Sequence, residues 1–370
     1  MGRPNGGSSK MRNEPGKDME LIQILKKIAP GTNLREGLDN ILKARTGALI
    51  VISDSPEVMK IADGGFKINE DYSPAKIYEL AKMDGAIVLS ADARKIVIAN
   101  TQLVPDSTIP TVETGTRHRS GERVAKQTNE LVISISQRRN IITLFKGNTR
   151  YVIQDSTKVL ARANQAMQTL EKYKVAFDDI ISIINEFEFD DVVTLQNVVT
   201  AVQRAELCMK VISEIDRYII ELGDEGRLLE LQLNELSKVV DEEEKLLIKD
   251  YIVESMTTES VIDSISSLSR NELMDYSLIA RKLGYEVDNK SLEDIELPSR
   301  GFRQLTKIPK TPIGIIENMN KTFGDFQHII MATIEELDDV EGIGEIRAKN
   351  IKQGIKRMHE QVIYDSKFYR

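Results

Sequence analysis

The sequence predicts a multidomain chain, α/β followed by all-α. An N-terminal α/β domain with a mixed sheet flanked by helices leads into a central helical spine and a compact C-terminal helical domain. Three observations carry this. Short β-rich apolar runs alternate with amphipathic stretches up to about residue 155. From Thr157 to about Arg281 proline drops out and long helical periodicities take over. Near the C-terminus a Gly-Ile-Gly turn separates two further apolar-periodic stretches. With 370 residues and 41% hydrophobic content, the chain is long enough for two or three cores.

Residues 1–18 are rich in Gly, Ser, Asn, Pro and charge without apolar periodicity, and are expected to be disordered. Leu21, Ile24, Leu25 and Ile28 recur at helical spacing, and Pro30-Gly31 stops that helix. Leu34, Leu38, Ile41 and Leu42 repeat the pattern. Strands are expected at Ala48–Ile52, Ala86–Leu89, Ile96–Ala99, Val132–Ile135, Ile141–Phe145 and Tyr151–Ile153, with helices at 74–83 and about 117–128. This domain spans 19–155. The spine follows, with Leu160, Ala163, Met167, Leu170 and Tyr173 on one helical face. Gly284–Gly301, with Pro298, is expected as a linker closing the region 156–300. The last domain takes 301–370.

Composition excludes several classes. No apolar stretch approaches the ~20 residues of a membrane span, and the N-terminus lacks a signal pattern. A single cysteine, Cys208, forms neither an intrachain disulfide nor a metal cluster. A cytoplasmic protein is expected. The net charge of −8 argues against a uniformly nucleic-acid-coating chain. Residues 342–370 nevertheless hold seven Lys/Arg against three acids, a local cationic patch.

That patch carries a helix-hairpin-helix pattern. Leu337-Asp338-Asp339-Val340-Glu341-Gly342-Ile343-Gly344 is followed by Ala348 and Ile351. The two glycines allow close backbone approach, and the second helix starts right after them. Its free N–H groups suit a DNA phosphate. Ile343 is expected to point inward and Ala348 to allow tight helix packing, while Arg347, Lys349 and Lys352 add charge. Ile308-Pro309-Lys310-Thr311-Pro312-Ile313-Gly314 reads as a degenerate first hairpin. Paired hairpins of this kind hold duplex backbone without reading bases.

In the α/β domain two clusters stand out. Asp84-Gly85-Ala86 sits where a helical stretch gives way to a strand, and Arg117-His118-Arg119 opens a helix after Gly115-Thr116. Three cationic or potentially cationic side chains in a first helical turn oppose the helix dipole. The placement makes sense if an anion occupies the site. A carboxylate beside a flexible glycine, facing such a helix start, suits a nucleoside triphosphate.

Lys82–Ser90 and Glu113-Thr114-Gly115-Thr116-Arg117-His118-Arg119-Ser120 resemble the paired motifs of the diadenylate cyclase family. The order of parts (cyclase domain, helical spine, hairpin domain) resembles the DNA-integrity-scanning branch of that family over residues 20–365. The resemblance implies condensation of two ATP into cyclic di-AMP and two pyrophosphates. By motif, Asp84 meets the ribose 3′-hydroxyl or a Mg²⁺ or Mn²⁺ ion, with Arg117, His118 and Arg119 as its catalytic companions. Gly85 and Ala86 lie against the nucleotide, and Leu103 meets adenine through its backbone. Thr116 to Ser120 wrap the phosphates. Ser136 and Arg139, in Ser134-Ile135-Ser136-Gln137-Arg138-Arg139, match further phosphate contacts. The family often has Thr where this chain has Ser120, so the hydroxyl is kept. It also implies a face-to-face pair of cyclase domains within a homo-octamer, and DNA, branched and without sequence preference, as partner.

Two other readings stay open. A helix-hairpin-helix DNA-repair scaffold would bind nucleotide without cyclising it. A nucleotide sensor without turnover would keep Arg117 and need no Asp84. In a glycosylase, further catalytic helices follow the hairpin, which disfavours that variant of the repair reading.

Overall fold

The computed structural model describes residues 15–287 and 291–368. For residues 1–14 the expected disorder lies outside the described residues. Residues 15–18 are already helical, so the ordered chain starts before the expected boundary at residue 19. Two compact units result. One comprises the chain up to Ala163 together with Arg217–Leu228; the other comprises Asn164–Asp216 and the chain from Leu229 onward.

In the first unit the order is α1 (Pro15–Lys27), α2 (Asn33–Ala44), β1 (Ala48–Ile52), α3 (Pro56–Ile61), β2 (Ala62–Asp63), β3 (Phe66–Asp71), α4 (Pro74–Leu80), β4 (Ala86–Leu89), β5 (Lys95–Leu103), α5 (Thr116–Thr128), β6 (Leu131–Ser136), β7 (Ile141–Lys146) and β8 (Thr149–Val152). The strands form one mixed sheet in the order β2-β5-β4-β1-β6-β7-β8, with β3 also on β5. Among the described residues only β1 and β4 run parallel, with Ile50 opposite Ile87. Helices cover both faces, so β1 and β4 are buried throughout. Ile50, Ile52, Ile87 and Ile133 pack with α1, α2 and α4 on one face. Leu49, Val51, Val88 and Val132 pack with α3 and α5 on the other.

The sequence reading missed α3, β2 and β3. β3 reads Phe-Lys-Ile-Asn-Glu-Asp and is mostly exposed, so it shows no apolar alternation. α4 ends at Leu80, capped by Ala81, short of the expected Met83. Register explains where function is placed. β1 and β4 start at one end of the sheet, and antiparallel β6 finishes there, with Ala48 opposite Ile135. β5 brings Thr101 opposite Ala86 at the same end. Asp84, Gly85, Ser136 and the start of α5 are thereby gathered together.

The spine supplies α6 (Ser156–Asp190), α7 (Leu195–Leu222) and α8 (Arg227–Tyr251). The turn between α7 and α8 belongs to the first unit. There the Asp224 N–H donates to the Pro30 carbonyl at 3.1 Å, and Ile220 packs against the sheet's core.

The second unit continues with α9 (Thr258–Ser266), α10 (Tyr276–Lys282), α11 (Phe302–Leu305), α12 (Ile313–Phe323), α13 (Phe326–Met331), α14 (Ile334–Asp338) and α15 (Glu345–Phe368). Part of the stretch expected as a linker is firmly held. The Leu297 N–H donates to the Val193 carbonyl, and the Leu195 N–H to the Ile295 carbonyl, both at 2.8 Å. The expected boundary at 300/301 falls inside this unit.

Within the spine Glu206 and Glu244 are both buried, and the charge of Glu206 acts on Glu244. Burial pushes the Glu206 carboxyl up to about 7, and burial plus Glu206 raises Glu244 well above the carboxylate range. Groups so raised stabilise the folded unit fully below their unfolded pKa, and that stability is lost as pH rises through about 7. Melting of the unit is therefore expected at higher temperature at acidic than at alkaline pH. Glu206→Gln should flatten this dependence in a calorimetric pH series, and an unchanged slope would contradict the assignment.

Candidate functional site

At the gathered end of the sheet a cavity of about 540 Å³ is lined by Asp84, Thr116, Arg117, His118, Ser136 and Arg139, together with Glu113, Thr114, Gly115, Ile135, Gln137 and Arg138. Six expected site residues thus share one wall system.

Asp84 is fully exposed in the turn before β4, and its Oδ1 receives the Arg117 guanidinium at 3.5 Å. Gly85 follows because nothing larger fits. Its N–H donates to Asn100 Oδ1 at 3.1 Å, and a Cβ there would stand 2.6 Å from the Asn100 Cα. The chain before β4 is thereby pressed onto β5, which fixes where Asp84 emerges.

Gly115 caps α5 through its backbone alone, with no side-chain bond to the first turn. Thr116 and Arg117 of that turn line the cavity, and the N–H groups of a first helical turn have no acceptor within the helix. His118 behaves differently from the arginines around it. It is buried, its Nδ1 lies 3.1 Å from Ser134 Oγ, and its ring meets Phe145 edge-on. Burial lowers its pKa, outweighing the opposite pull of Glu113, which favours the neutral imidazole over the cation. Its buried Nε2 has no hydrogen-bond partner.

Ser136 Oγ accepts the Arg139 N–H at 3.2 Å, while the Arg139 guanidinium reaches Thr114 Oγ1 at 3.4 Å. Arg117, Arg138 and Arg139 outnumber Asp84 and Glu113 on the lining, so the cavity favours an anion.

Other expected residues stand apart from this wall. Ala86 and Leu103 are buried in the sheet core, and the Leu103 backbone pairs with Ala62. Arg119 is exposed and Ser120 half-buried, and neither lines the cavity. Glu113, Thr114, Gln137 and Arg138 line it without having been assigned a role from sequence. Their closeness in sequence to the two motifs was the available signal.

Asp84 offers a hard oxygen donor that suits Mg²⁺ or Mn²⁺. Among the described residues no group of three His, Cys, Asp or Glu could cage a metal. An ion here would rest on Asp84, phosphate oxygens and water, the usual mode for Mg²⁺.

The second unit holds both segments read from the sequence as hairpins. Gly342 has φ +84°, and a Cβ on it would meet the end of the Ile315 side chain, so glycine is favoured there. Ile343 and Ala348 are buried in the local core. Gly344 opens onto empty space at the start of α15. In the first hairpin Lys310 takes the place of Gly342, with φ +65°, and Pro312 takes that of Gly344. Pro309, Lys310, Gly344, Glu345, Ile346 and Arg347 line a common cavity of about 490 Å³. The expected cations are partly committed elsewhere. The Arg347 guanidinium donates to the Gly342 carbonyl, and Lys349 pairs with Glu345. Lys352 donates to the Ile330 and Ala332 carbonyls, capping α13, so its charge is directed inward and not toward a phosphate.

Comparison with known proteins bears on both units. Residues 35–150 match the family described as DisA bacterial checkpoint controller nucleotide-binding, and residues 153–292 match its linker region. The chain is 53% identical over 349 residues to the DNA integrity scanning protein DisA of Clostridium botulinum strain Loch Maree, covering 94% of this chain and 98% of the relative. Identity to the protein of the same name from Acetivibrio thermocellus is 54% over 352 residues, covering 95% and 98%. For Clostridium kluyveri the figures are 52% over 352 residues, 95% and 99%.

Proposed function

The chain belongs to the family of the DNA integrity scanning protein DisA, and on that footing we propose that it is a diadenylate cyclase coupled to DNA binding. The observation that carries the cyclase reading is the convergence of Asp84, Arg117, His118, Ser136 and Arg139 on one anion-favouring cavity.

In this reading each ATP lays its triphosphate along the start of α5. Arg117 and Arg139 neutralise it, and the backbone N–H groups of the first turn donate to it. His118, buried in the first turn of α5 and bonded to Ser134 Oγ, holds that turn in place. Asp84 accepts the hydrogen bond of the 3′-hydroxyl and draws its proton as the oxygen attacks the α-phosphate of the opposing ATP. An O3′–P bond forms, the bond to the β-phosphate breaks, and pyrophosphate leaves. Were Asp84 instead to hold Mg²⁺ or Mn²⁺, that ion would supply Lewis-acid charge neutralisation at the same point. One domain offers one such constellation, while a symmetric product needs two head to tail. A face-to-face pair of domains is the minimum catalytic assembly, and a homo-octamer is the assembly the family resemblance suggests. Among the described residues no helix is long and apolar enough to cross a membrane, and a cytoplasmic location is proposed.

Incubation with ATP and Mg²⁺ or Mn²⁺, followed by chromatography, tests the reaction. Bound nucleotide without cyclic product would favour the repair-scaffold reading. Arg117→Ala should weaken binding of 3′-deoxyATP about tenfold or more, since a charge-assisted contact contributes ~1.5–3 kcal/mol. Arg119→Ala should cost less, because Arg119 lies off the cavity wall. Equal losses in calorimetric titration would return the triplet to a general electrostatic role.

The paired hairpins support DNA backbone binding. Lys352 caps a helix, which leaves the N–H groups after Gly344, with Lys310 and with Lys349 once it exchanges its exposed pair with Glu345 for a phosphate, as phosphate contacts. If about two phosphates are neutralised, log affinity should fall against log salt with a slope near −2. Random duplexes and a four-way junction measured across a salt series test this. A flat response, or a strong preference for one linear sequence, would refute it.

A further inference from the structure

We propose that β8 is a positioning strand for the nucleotide site: Arg150 fixes Glu113 in the cavity wall, and Tyr151 ties the same strand to the α7–α8 turn through Glu221. The proposal rests on the nucleotide-binding reading and assigns residues that reading leaves idle.

Glu113 is an anomaly in an anion-favouring cavity. Its side chain is only 7% exposed, yet it lines the wall with Arg117, Arg138 and Arg139. A buried carboxylate there would repel a triphosphate unless compensated. Compensation comes from Arg150, whose Nε meets Glu113 Oε1 at 2.5 Å. Glu113 is itself placed by its surroundings. Its N–H donates to Thr111 Oγ1 at 3.2 Å, and the Thr111 hydroxyl in turn donates to Glu122 of α5. Thr114, the next residue, receives Arg139. The pair thus holds the segment that leads directly into the phosphate-facing start of α5.

β8 lies at the edge of the sheet and pairs with β7 alone, with Phe145 opposite Arg150 and Leu144 opposite Tyr151. Successive side chains alternate across the sheet. Arg150 takes one face toward Glu113, and Tyr151 takes the other against the core beside α1 and α2. There the Tyr151 hydroxyl donates to Glu221 Oε1 at 2.5 Å. Glu221 stands at the end of α7, next to the turn held by the Asp224–Pro30 bond. All these residues lie in the first unit. A shift of that turn therefore acts on a weakly held edge strand whose next residue sets the charge balance of the cavity.

The test uses the full chain, calorimetric titration with 3′-deoxyATP and steady-state kinetics with ATP. Arg150→Met should weaken 3′-deoxyATP binding about tenfold, because the Glu113 carboxylate is left uncompensated. Glu113→Gln combined with Arg150→Met should restore binding to near the parent value, a rescue that a merely structural loss would not show. Tyr151→Phe and Glu221→Gln should each raise KM for ATP several-fold while the melting temperature stays near the parent's. Failure of the double variant to recover, or unchanged KM in both Tyr151→Phe and Glu221→Gln, overturns the proposal. Parent protein that binds 3′-deoxyATP without forming cyclic product would overturn the cyclisation reading alone. Parent protein that does not bind it would overturn both.

Discussion

Asp84→Asn is expected to lower cyclic di-AMP formation at least about a hundredfold, the scale on which loss of one preorganised electrostatic contact acts. The fold should not change. The side chain is fully exposed, its one ion pair is a 3.5 Å contact to Arg117, and asparagine is nearly isosteric. Substrate affinity should not fall with the rate, because a negative charge beside a triphosphate is removed and none is added. A variant with lost turnover, parent-like 3′-deoxyATP affinity and an unchanged circular dichroism spectrum would place Asp84 at the reacting hydroxyl or its metal. Near-normal turnover would remove it from the mechanism.

This expectation was legible in the sequence because its determinants are local. A glycine after Asp84 and a glycine before Thr116 mark two turns, and three basic or imidazole residues in a helix start mark an anion site. The central strands were legible for the same reason, as β1 and β4 are continuous apolar runs buried on both faces. What stayed hidden depends on distant partners. The lowered pKa of His118 follows from burial, with Ser134 and Phe145 of the next two strands against its ring. The role of Glu113 follows from Arg150, 37 residues away. Lys352 looks like a free cation in the sequence, and only the fold shows it capping α13. β3 was missed because an exposed edge strand needs no apolar alternation.

The boundary expected near residue 300 raises a different question, namely what holds the segment entering the first hairpin. Arg303, on α11, is wholly buried. Its guanidinium meets Glu188 Oε2 at 2.5 Å, Glu243 Oε1 at 3.0 Å and Asn185 Oδ1 at 2.6 Å. Glu188 is equally buried and also accepts Tyr251, Ser299 and Gln304. Asp250 accepts the backbone N–H groups of Phe302 and Arg303 at 2.6 and 2.9 Å. Burial opposes the Arg303 charge, but Glu188 and Glu243 outweigh it and hold the guanidinium ionised. Arg303→Met removes the cation and leaves the carboxylates buried, which should cost about 3–5 kcal/mol. Arg303→Met with Glu188→Met should recover much of that loss, since replacing both charges by apolar groups is often neutral. The deficit should also depend on pH. Burial and Glu188 already push Asp250 up to about 7, and losing the Arg303 charge removes an influence that holds it down. Groups so raised stabilise the folded unit when protonated, so the single variant should be weakest at alkaline pH and regain stability as pH falls. Calorimetric melting of the parent, single and double variants at pH 5.5 and 8 decides. A single variant melting like the parent at pH 8 would show that the network does not hold α11 in place. A double variant no better than the single would show that α11 needs the guanidinium itself, through Asn185 and Glu243, more than relief of the Glu188 charge.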